Sequence, residues 1–386
     1  MNYILLSIFL LLSPCILIYC QDRPDNPPII ETPNEIDYLH EIVVDSLDIP
    51  WGMDFISENE LLITEKKGEL IYAVDGSKTQ ITNLPNVYVR GQGGLLDVAL
   101  HPEYEVNNII YLVASTNTEE DDKGGNTALY SAVLNLQDFQ LDDLTLLYKA
   151  TPNTNKGQHW GSRIVFDDQG YLYFAIGDRG QRDITPQDLS TDGGKIYRLN
   201  LDGTIPSDNP FVGEPGVKEA IFSYGHRNPQ GMIFHPEKKQ LWLNEHGPRG
   251  GDEINISLKG RNYGWPEITY GINYSGTIIT NQTHKEGMEQ PFYYWTPSIG
   301  PSGMAILTSD IYPQWKGNIF VGSLRFEYLE RLVIEDDKVV KREKILDKIG
   351  RVRNVVEGPD GYLYVGVENL GIVRIIPKNE TISLGL

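Results

Sequence analysis

Asp168-Gln169-Gly170-Tyr171-Leu172-Tyr173 and, far later in the chain, Asp360-Gly361-Tyr362-Leu363-Tyr364 spell the same local event. Asp and Gly make a turn, and an alternating aromatic and aliphatic run follows. Such a run suits a strand with one face buried. Working outward from this pair, variants of the unit recur around Leu61-Leu62-Ile63, Ile110-Tyr111-Leu112, Leu241-Trp242-Leu243 and Asn318-Ile319-Phe320. Each has a turn before it and a Gly-rich exit after it. From Ile42 onward no amphipathic helical period appears, so the chain is expected to be all-β. Six irregularly spaced copies fit six blades of four strands, a six-bladed β-propeller. A sandwich needs fewer strands, and a parallel barrel needs helices that the pattern lacks.

The ends read differently. Tyr3 to Tyr19 is almost wholly apolar and is followed by a polar, proline-rich stretch. This is the pattern of an export signal over residues 1–20, with a flexible tether over 21–36 and a single propeller domain over 37–380. Leu17-Ile18-Tyr19-Cys20 also fits a loose lipoprotein cleavage box with Cys20 as the lipidated residue, and ordinary signal cleavage is the alternative. The expected location is therefore periplasmic or cell-envelope lipoprotein, otherwise secreted, with any membrane contact made through the N-terminal anchor. Both cysteines, Cys15 and Cys20, fall in this segment, so the exported body would hold no thiol. The 53 acidic against 33 basic side chains give a formal charge of −20, which disfavours nucleic acid and anionic membrane surfaces as partners.

Two runs carry most of the polar chemistry: Gly225-His226-Arg227-Asn228-Pro229-Gln230-Gly231 and Asn244-Glu245-His246-Gly247-Pro248-Arg249-Gly250-Gly251-Asp252-Glu253. An Arg fork, amide side chains and carbonyls exposed by Gly and Pro suit a flat polyanion with a hard cation. No strand-loop-helix unit carries a Gly-x-Gly-x-x-Gly fingerprint, which argues against a conventionally bound nicotinamide. A channel metal for lactone hydrolysis would need clustered carboxylates, which the sequence does not offer.

With Gln92-Gly93-Gly94-Leu95-Leu96-Asp97, Gln158-His159-Trp160-Gly161-Ser162-Arg163, Asn262-Tyr263-Gly264-Trp265-Pro266 and Arg351-Val352-Arg353-Asn354-Val355, these runs resemble the soluble pyrroloquinoline-quinone-dependent aldose dehydrogenases, the glucose/sorbosone dehydrogenase family. The resemblance covers roughly Ile49 to Pro377 and implies the same six-bladed fold. It implies oxidation of an aldose at C1 to a lactone, with pyrroloquinoline quinone and Ca2+ as cofactors and an external electron acceptor as partner. By the same resemblance His159 is the catalytic base, and Arg227, Asn228, Gln230, Arg351 and Arg353 hold the quinone. Arg325 stands where the family has a Lys, which keeps the charge but changes a point-like ammonium into a planar fork. Gly247 and Pro248 match carbonyl donors to the cofactor-associated calcium. Glu253 and Tyr263, the latter through its main-chain oxygen, match a second calcium position. Gln92 matches a substrate-contacting Gln, and Gln158 replaces an Asp of the glucose-specific members. Trp160 and Trp295 are expected as faces on which a pyranose could stack. Asp252 is a further candidate calcium ligand, although an Asp-Glu pair at a loop is more often simply solvated, and His226 and His246 read as structural. The competing reading is a cofactor-free propeller that binds a glycan or protein partner.

Overall fold

The structure, a computed structural model, describes residues 36–117 and 124–378. The expected signal segment, Cys20 and nearly all of the tether lie outside the described residues. The rest forms six four-stranded antiparallel sheets. The first strand, β1 (Tyr38–Asp45), belongs to the last sheet. The first blade is β2 (Pro50–Ser57), β3 (Glu60–Glu65), β4 (Glu69–Val74) and β5 (Ser77–Ile81); the second is β6 (Leu95–Leu100), β7 (Ile109–Thr116), β8 (Asn126–Asn135) and β9 (Gln140–Lys149). Then come β10 (Ile164–Phe166), β11 (Tyr171–Ile176), β12 (Lys195–Asn200) and β13 (Ile221–Tyr224), and the fourth blade, β14 (Pro229–His235), β15 (Gln240–Glu245), β16 (Asp252–Ser257) and β17 (Tyr293–Trp295). The fifth is β18 (Pro301–Ile306), β19 (Ile319–Ser323), β20 (Tyr328–Glu335) and β21 (Lys338–Ile345). The last is β22 (Val352–Glu357), β23 (Leu363–Val367), β24 (Gly371–Pro377) and, outermost, β1.

All six repeat centres found in the sequence coincide with or abut the second strand of a blade: β3, β7, β11, β15, β19 and β23. These strands are the most apolar because blades cover both of their faces, as the buried runs of β11 and β15 illustrate. Val44, Met53, Ile63, Tyr364 and Ile372 form one such inter-blade core, uniting the first and last blades. Each fully buried aliphatic side chain contributes about 1.5–3 kcal/mol by leaving water. The ring closes through β1, which pairs antiparallel with β24 from Tyr38 opposite Pro377 to Asp45 opposite Gly371.

The first strands of the blades line the central channel in the order β2, β6, β10, β14, β18, β22, and β22 returns to β2. Close approach there requires glycine. A Cβ on Gly231 would lie 2.5 Å from the Ser302 carbonyl oxygen, and one on Gly303 would lie 2.4 Å from Asn354 Oδ1. Five of these six strands also break register near their start: between Pro50 and Gly52, Leu95 and Asp97, Pro229 and Gly231, Pro301 and Met304, and Val352 and Asn354. A bulge turns its extra residue out of the pleat. Here the extra residues include Trp51, Gln230 and Arg353, which all line one cleft at that end of the channel.

Candidate active site

That cleft holds about 540 Å3 and is bordered by Gln92, Gln230, Arg325, Arg351 and Arg353, with Lys66 beside them. Its floor is the apolar plug of Trp51, Leu96 and Trp160. A second cavity of about 500 Å3 lies along the same inner strands and is lined by Met53, Met232 and Met304 among other residues. We place the chemistry in the first, where the cationic groups gather.

His159 stands where the chain runs into β10, with a left-handed φ of 56°. Its N–H donates to Gln92 Oε1 at 2.7 Å, and its carbonyl accepts from the Arg179 N–H at 3.3 Å. The ring Nδ1 lies 2.6 Å from Asp178 Oδ1. A carboxylate acceptor there fixes the proton on Nδ1 and leaves the Nε2 lone pair available. Asp178 is itself tied by the Gly180 N–H at 2.7 Å and by Trp265 Nε1 at 2.8 Å. Burial and the nearby Arg227 charge push the His159 pKa below its ordinary value, and Asp178 only partly offsets them. Burial raises the Asp178 pKa, but the bond to His159 and its charge bring it below the usual carboxylate range. The side chain of His159 is still 14 % exposed, so a neutral imidazole is open to a ligand.

Arg227 is fixed from several sides. Its N–H donates to Glu245 Oε2 at 2.6 Å, its carbonyl accepts from the Asp178 N–H at 2.8 Å, and Nη1 donates to the His246 carbonyl at 2.9 Å. Its Nε is buried without a partner among the described residues. Asn228 Oδ1 accepts from the Gly161 N–H at 3.2 Å, and Gln230 Nε2 donates to the Gly161 carbonyl at 3.3 Å. These two amides hold the segment after His159. Arg351 and Arg353 converge as expected, but on Glu368: Arg351 Nε reaches its Oε2 at 2.7 Å, and Arg353 Nε reaches its Oε1 at 3.1 Å. Arg325 is exposed and donates through Nη1 to the Ser298 carbonyl at 3.3 Å.

Two expectations about the sugar need correction. Trp295 has 0 % exposure, sits in the core between the fourth and fifth blades and donates through Nε1 to Glu330 Oε1 at 3.2 Å, so it offers no face to a ligand. Trp160 is 1 % exposed, and the Arg179 guanidinium lies 3.2 Å from its ring centre, so it braces the floor of the cleft instead of stacking on a pyranose. Gln158 is exposed beside Gly180 but does not border the cleft.

Below Arg227 lies a cavity of about 20 Å3, enough for a single water or ion. Gly247, Glu253 and Tyr263 border it, together with Glu245 and Gly251. Glu245 and Glu253 are direct cross-strand partners on β15 and β16. Burial, and then the charge of Glu245, push Glu253 up to about 8. Asn255 Nδ2 bridges the two carboxylates at 3.0 and 3.2 Å. The Tyr263 hydroxyl donates to the Ile256 carbonyl and accepts from the Leu258 N–H, so only its main chain could serve a cation. The Pro248 carbonyl accepts from Ser298 Oγ at 3.3 Å. Asp252 is a further correction: it is buried on β16, where it receives the Gly247 N–H and the Gly300 N–H, each at 2.8 Å. Burial pushes its pKa up to about 6. Among the described residues no three His, Cys, Asp or Glu side chains converge on one point, so a cation here would depend on carbonyl oxygens. His226 is fully buried between Glu245 and Ser223, and His246 Nε2 lies 2.6 Å from the Pro301 carbonyl.

A family model described as Glucose / Sorbosone dehydrogenase matches residues 47–374. The chain belongs to this family. Within the glucose/sorbosone dehydrogenases, it is 43 % identical over 347 residues to aldose sugar dehydrogenase YliI of Escherichia coli K12, covering 88 % of this chain and 93 % of that protein. It is 31 % identical over 310 residues to quinoprotein glucose dehydrogenase B of Acinetobacter calcoaceticus, covering 73 % and 64 %. Among solved structures, the apo-form of the soluble E. coli aldose sugar dehydrogenase superposes with a TM-score of 0.83 at 40 % identity, covering 89 % of this chain and all of that one. The PQQ-bound aldose sugar dehydrogenase of Streptomyces coelicolor superposes with a TM-score of 0.72 at 26 % identity, covering 91 % and 99 %.

Three residues of this site in a glucose/sorbosone dehydrogenase were not singled out from sequence: Asp178, Glu368 and Lys66. Asp178 had a local signal, since Gly177-Asp178-Arg179-Gly180 follows β11 directly and a Gly-flanked Asp at a strand exit often ties a loop. Glu368 and Lys66 had none, because their partners arrive from other turns of the chain.

Proposed function

We propose that this chain is an exported quinoprotein that oxidises aldoses at C1 to lactones, using pyrroloquinoline quinone and calcium and passing the electrons to an external acceptor. The observation that carries the reading is His159, a neutral and partly open imidazole oriented by Asp178 beside a cleft bordered by Arg325, Arg351, Arg353 and Lys66. The names of its relatives, one an aldose sugar dehydrogenase, one a quinoprotein and one solved with PQQ bound, point the same way.

The residues present fit both groups. The buried Arg227 Nε lacks a partner among the described residues, as expected of a donor waiting for an anionic oxygen. The facing carboxylates Glu245 and Glu253 carry a like-charge conflict that a cation would relieve. Arg227, Asn228, Gln230, Arg325, Arg351 and Arg353 would hold the quinone, with the Gly247 and Pro248 carbonyls at its calcium and Glu253 and the Tyr263 main chain at a second calcium. When bound, the quinone would supply the hydride acceptor and calcium its Lewis acid.

His159 Nε2 takes the C1 hydroxyl proton, while Asp178 steadies the imidazolium that results. Gln92, whose Oε1 is already engaged by the His159 N–H, turns Nε2 to the sugar. Gln158 in place of a carboxylate leaves Asp178 as the acid paired to the base. Arg227 sets positive charge where negative charge grows.

Apoprotein should gain dye-linked aldose oxidation only when quinone and calcium are both supplied. Binding of neither component would sink the proposal in favour of a cofactor-free binding propeller. Arg325 allows a finer test. Being exposed, it is worth less than a buried charge: Arg325→Ala should weaken quinone binding by about 1 kcal/mol, near the upper end for exposed ion pairs, and Arg325→Lys by less. Titration of quinone into the apoproteins measures this, and an unchanged Ala variant would remove Arg325 from the site.

A further inference from the structure

Arg325 borders two cavities. Beyond the main cleft it also lines a pocket of about 390 Å3, walled by Arg249, Tyr270, Ile272, Thr296 and Pro297. Two loops build this wall: the one before β16, which carries Arg249, and the one after it, which carries Ile272 and Tyr270. The Arg249 and Ile272 main chains bond to each other in both directions, at 2.9 and 3.1 Å, and Tyr270 stacks parallel on Tyr294 with ring centres 3.9 Å apart. Tyr274, farther along the same loop, is 74 % exposed.

The charges are the unexpected part. Acidic side chains outnumber basic ones by 20 in this chain, the difference between 53 and 33, so an exposed arginine should readily find a carboxylate. Among the described residues neither Arg249 nor Arg325 has a carboxylate partner, and Arg325 meets only the Ser298 carbonyl and the Phe326 ring. Arg249 therefore offers its planar fork to an anion, and Arg325, which the quinone would engage from the cleft side, adds positive charge at the shared edge. Tyr270, Pro297 and Ile272 add apolar surface of the kind that covers the C–H face of a sugar ring. A saccharide whose reducing end lies in the main cleft would pass Arg325 and place its next unit here.

We propose that this pocket is a subsite for a uronic acid unit, so that the substrate is the reducing end of an acidic oligosaccharide, with Arg249 binding the carboxylate and Tyr270 lying beside the ring. The inference rests on the aldose-oxidising reading above and narrows its substrate class.

The test compares glucose, cellobiose and cellobiouronic acid as substrates of the enzyme loaded with quinone and calcium. The acidic disaccharide should exceed cellobiose in kcat/KM by about ten- to hundredfold, through KM, the range expected of hydrogen bonds to a charged group. In Arg249→Gln this preference should collapse while glucose turnover stays unchanged, and Arg249→Lys should restore part of it. High salt should weaken it as well. Equal kcat/KM for the two disaccharides, or a preference that survives in Arg249→Gln, would overturn the subsite. Calorimetry with cellobiouronic acid separates this inference from the reading beneath it. If no aldose is oxidised, that reading fails, but the subsite stands if the parent binds the acidic disaccharide and Arg249→Gln does not. It falls if both bind alike or neither binds.

Discussion

Replacing His159 by Ala should lower kcat for aldose oxidation by about two to four orders of magnitude, the range for a positioned general base, with little change in quinone affinity. The separation follows from geometry. His159 meets Asp178 and Gln92, whereas the groups proposed to hold the quinone bond to Glu245, His246, Gly161 and Glu368. The pH profile gives a second reading. Burial and Arg227 hold the His159 pKa below its ordinary value, so the base stays neutral through the neutral range. The acidic limb of kcat/KM should therefore fall below pH 6.5, the usual imidazole value. Removing the Arg227 charge should move that limb upward. Near-normal turnover in His159→Ala would assign the proton to another group.

Arg331→Met should destabilise the folded protein by about 3 kcal/mol, the lower end of the cost of breaking a buried ion pair, because Lys341 still meets the other Glu343 oxygen. Arg331 is 0 % exposed in the fifth blade. Its Nε and Nη2 meet Glu343 Oε2 at 2.9 and 2.6 Å, and Nη1 meets Asn318 Oδ1 at 2.7 Å. Removing the arginine leaves the buried Glu343 carboxylate with Lys341 alone, which meets its other oxygen from a partly exposed position. The double variant Arg331→Met with Glu343→Leu should recover much of the loss, because the apolar pair leaves no buried charge. Urea unfolding followed by tryptophan fluorescence measures both. A loss under 1 kcal/mol in the single variant would mean that water reaches Glu343.

These two sites show what could be read in the amino acids. The propeller was legible because a turn followed by an apolar run, such as Tyr171-Leu172-Tyr173, is a local signal repeated once per blade. The pairing of Arg331 with Glu343 was not. In Tyr328-Leu329-Glu330-Arg331-Leu332 the charges look like an outward face, and only the neighbouring strands show that they are enclosed. Around the cleft, the long polar runs pointed to Arg227, Asn228 and Gln230, but Asp178 and Glu368 draw their meaning from partners brought in by other loops. The tryptophans misled for a related reason. Large rings near loops resemble sugar platforms, yet Trp295 fills a gap between blades that only so bulky a side chain would fill.

The closure of the last sheet bears on how the molecule is made. The ribosome delivers β1 before every other strand of the ring and β24, its one partner strand among the described residues, after them. Through most of synthesis this edge, with Leu39 and Ile42 largely bare even in the finished ring, has nothing to pair with, and an unpaired strand invites the wrong neighbour. The five intervening blades can each form from contiguous sequence, but the circle is sealed only when both ends of the chain are present together. A nascent chain halted before β24 would thus hold a nearly complete cleft while β1 and the outer side of β23 lay bare and adhesive.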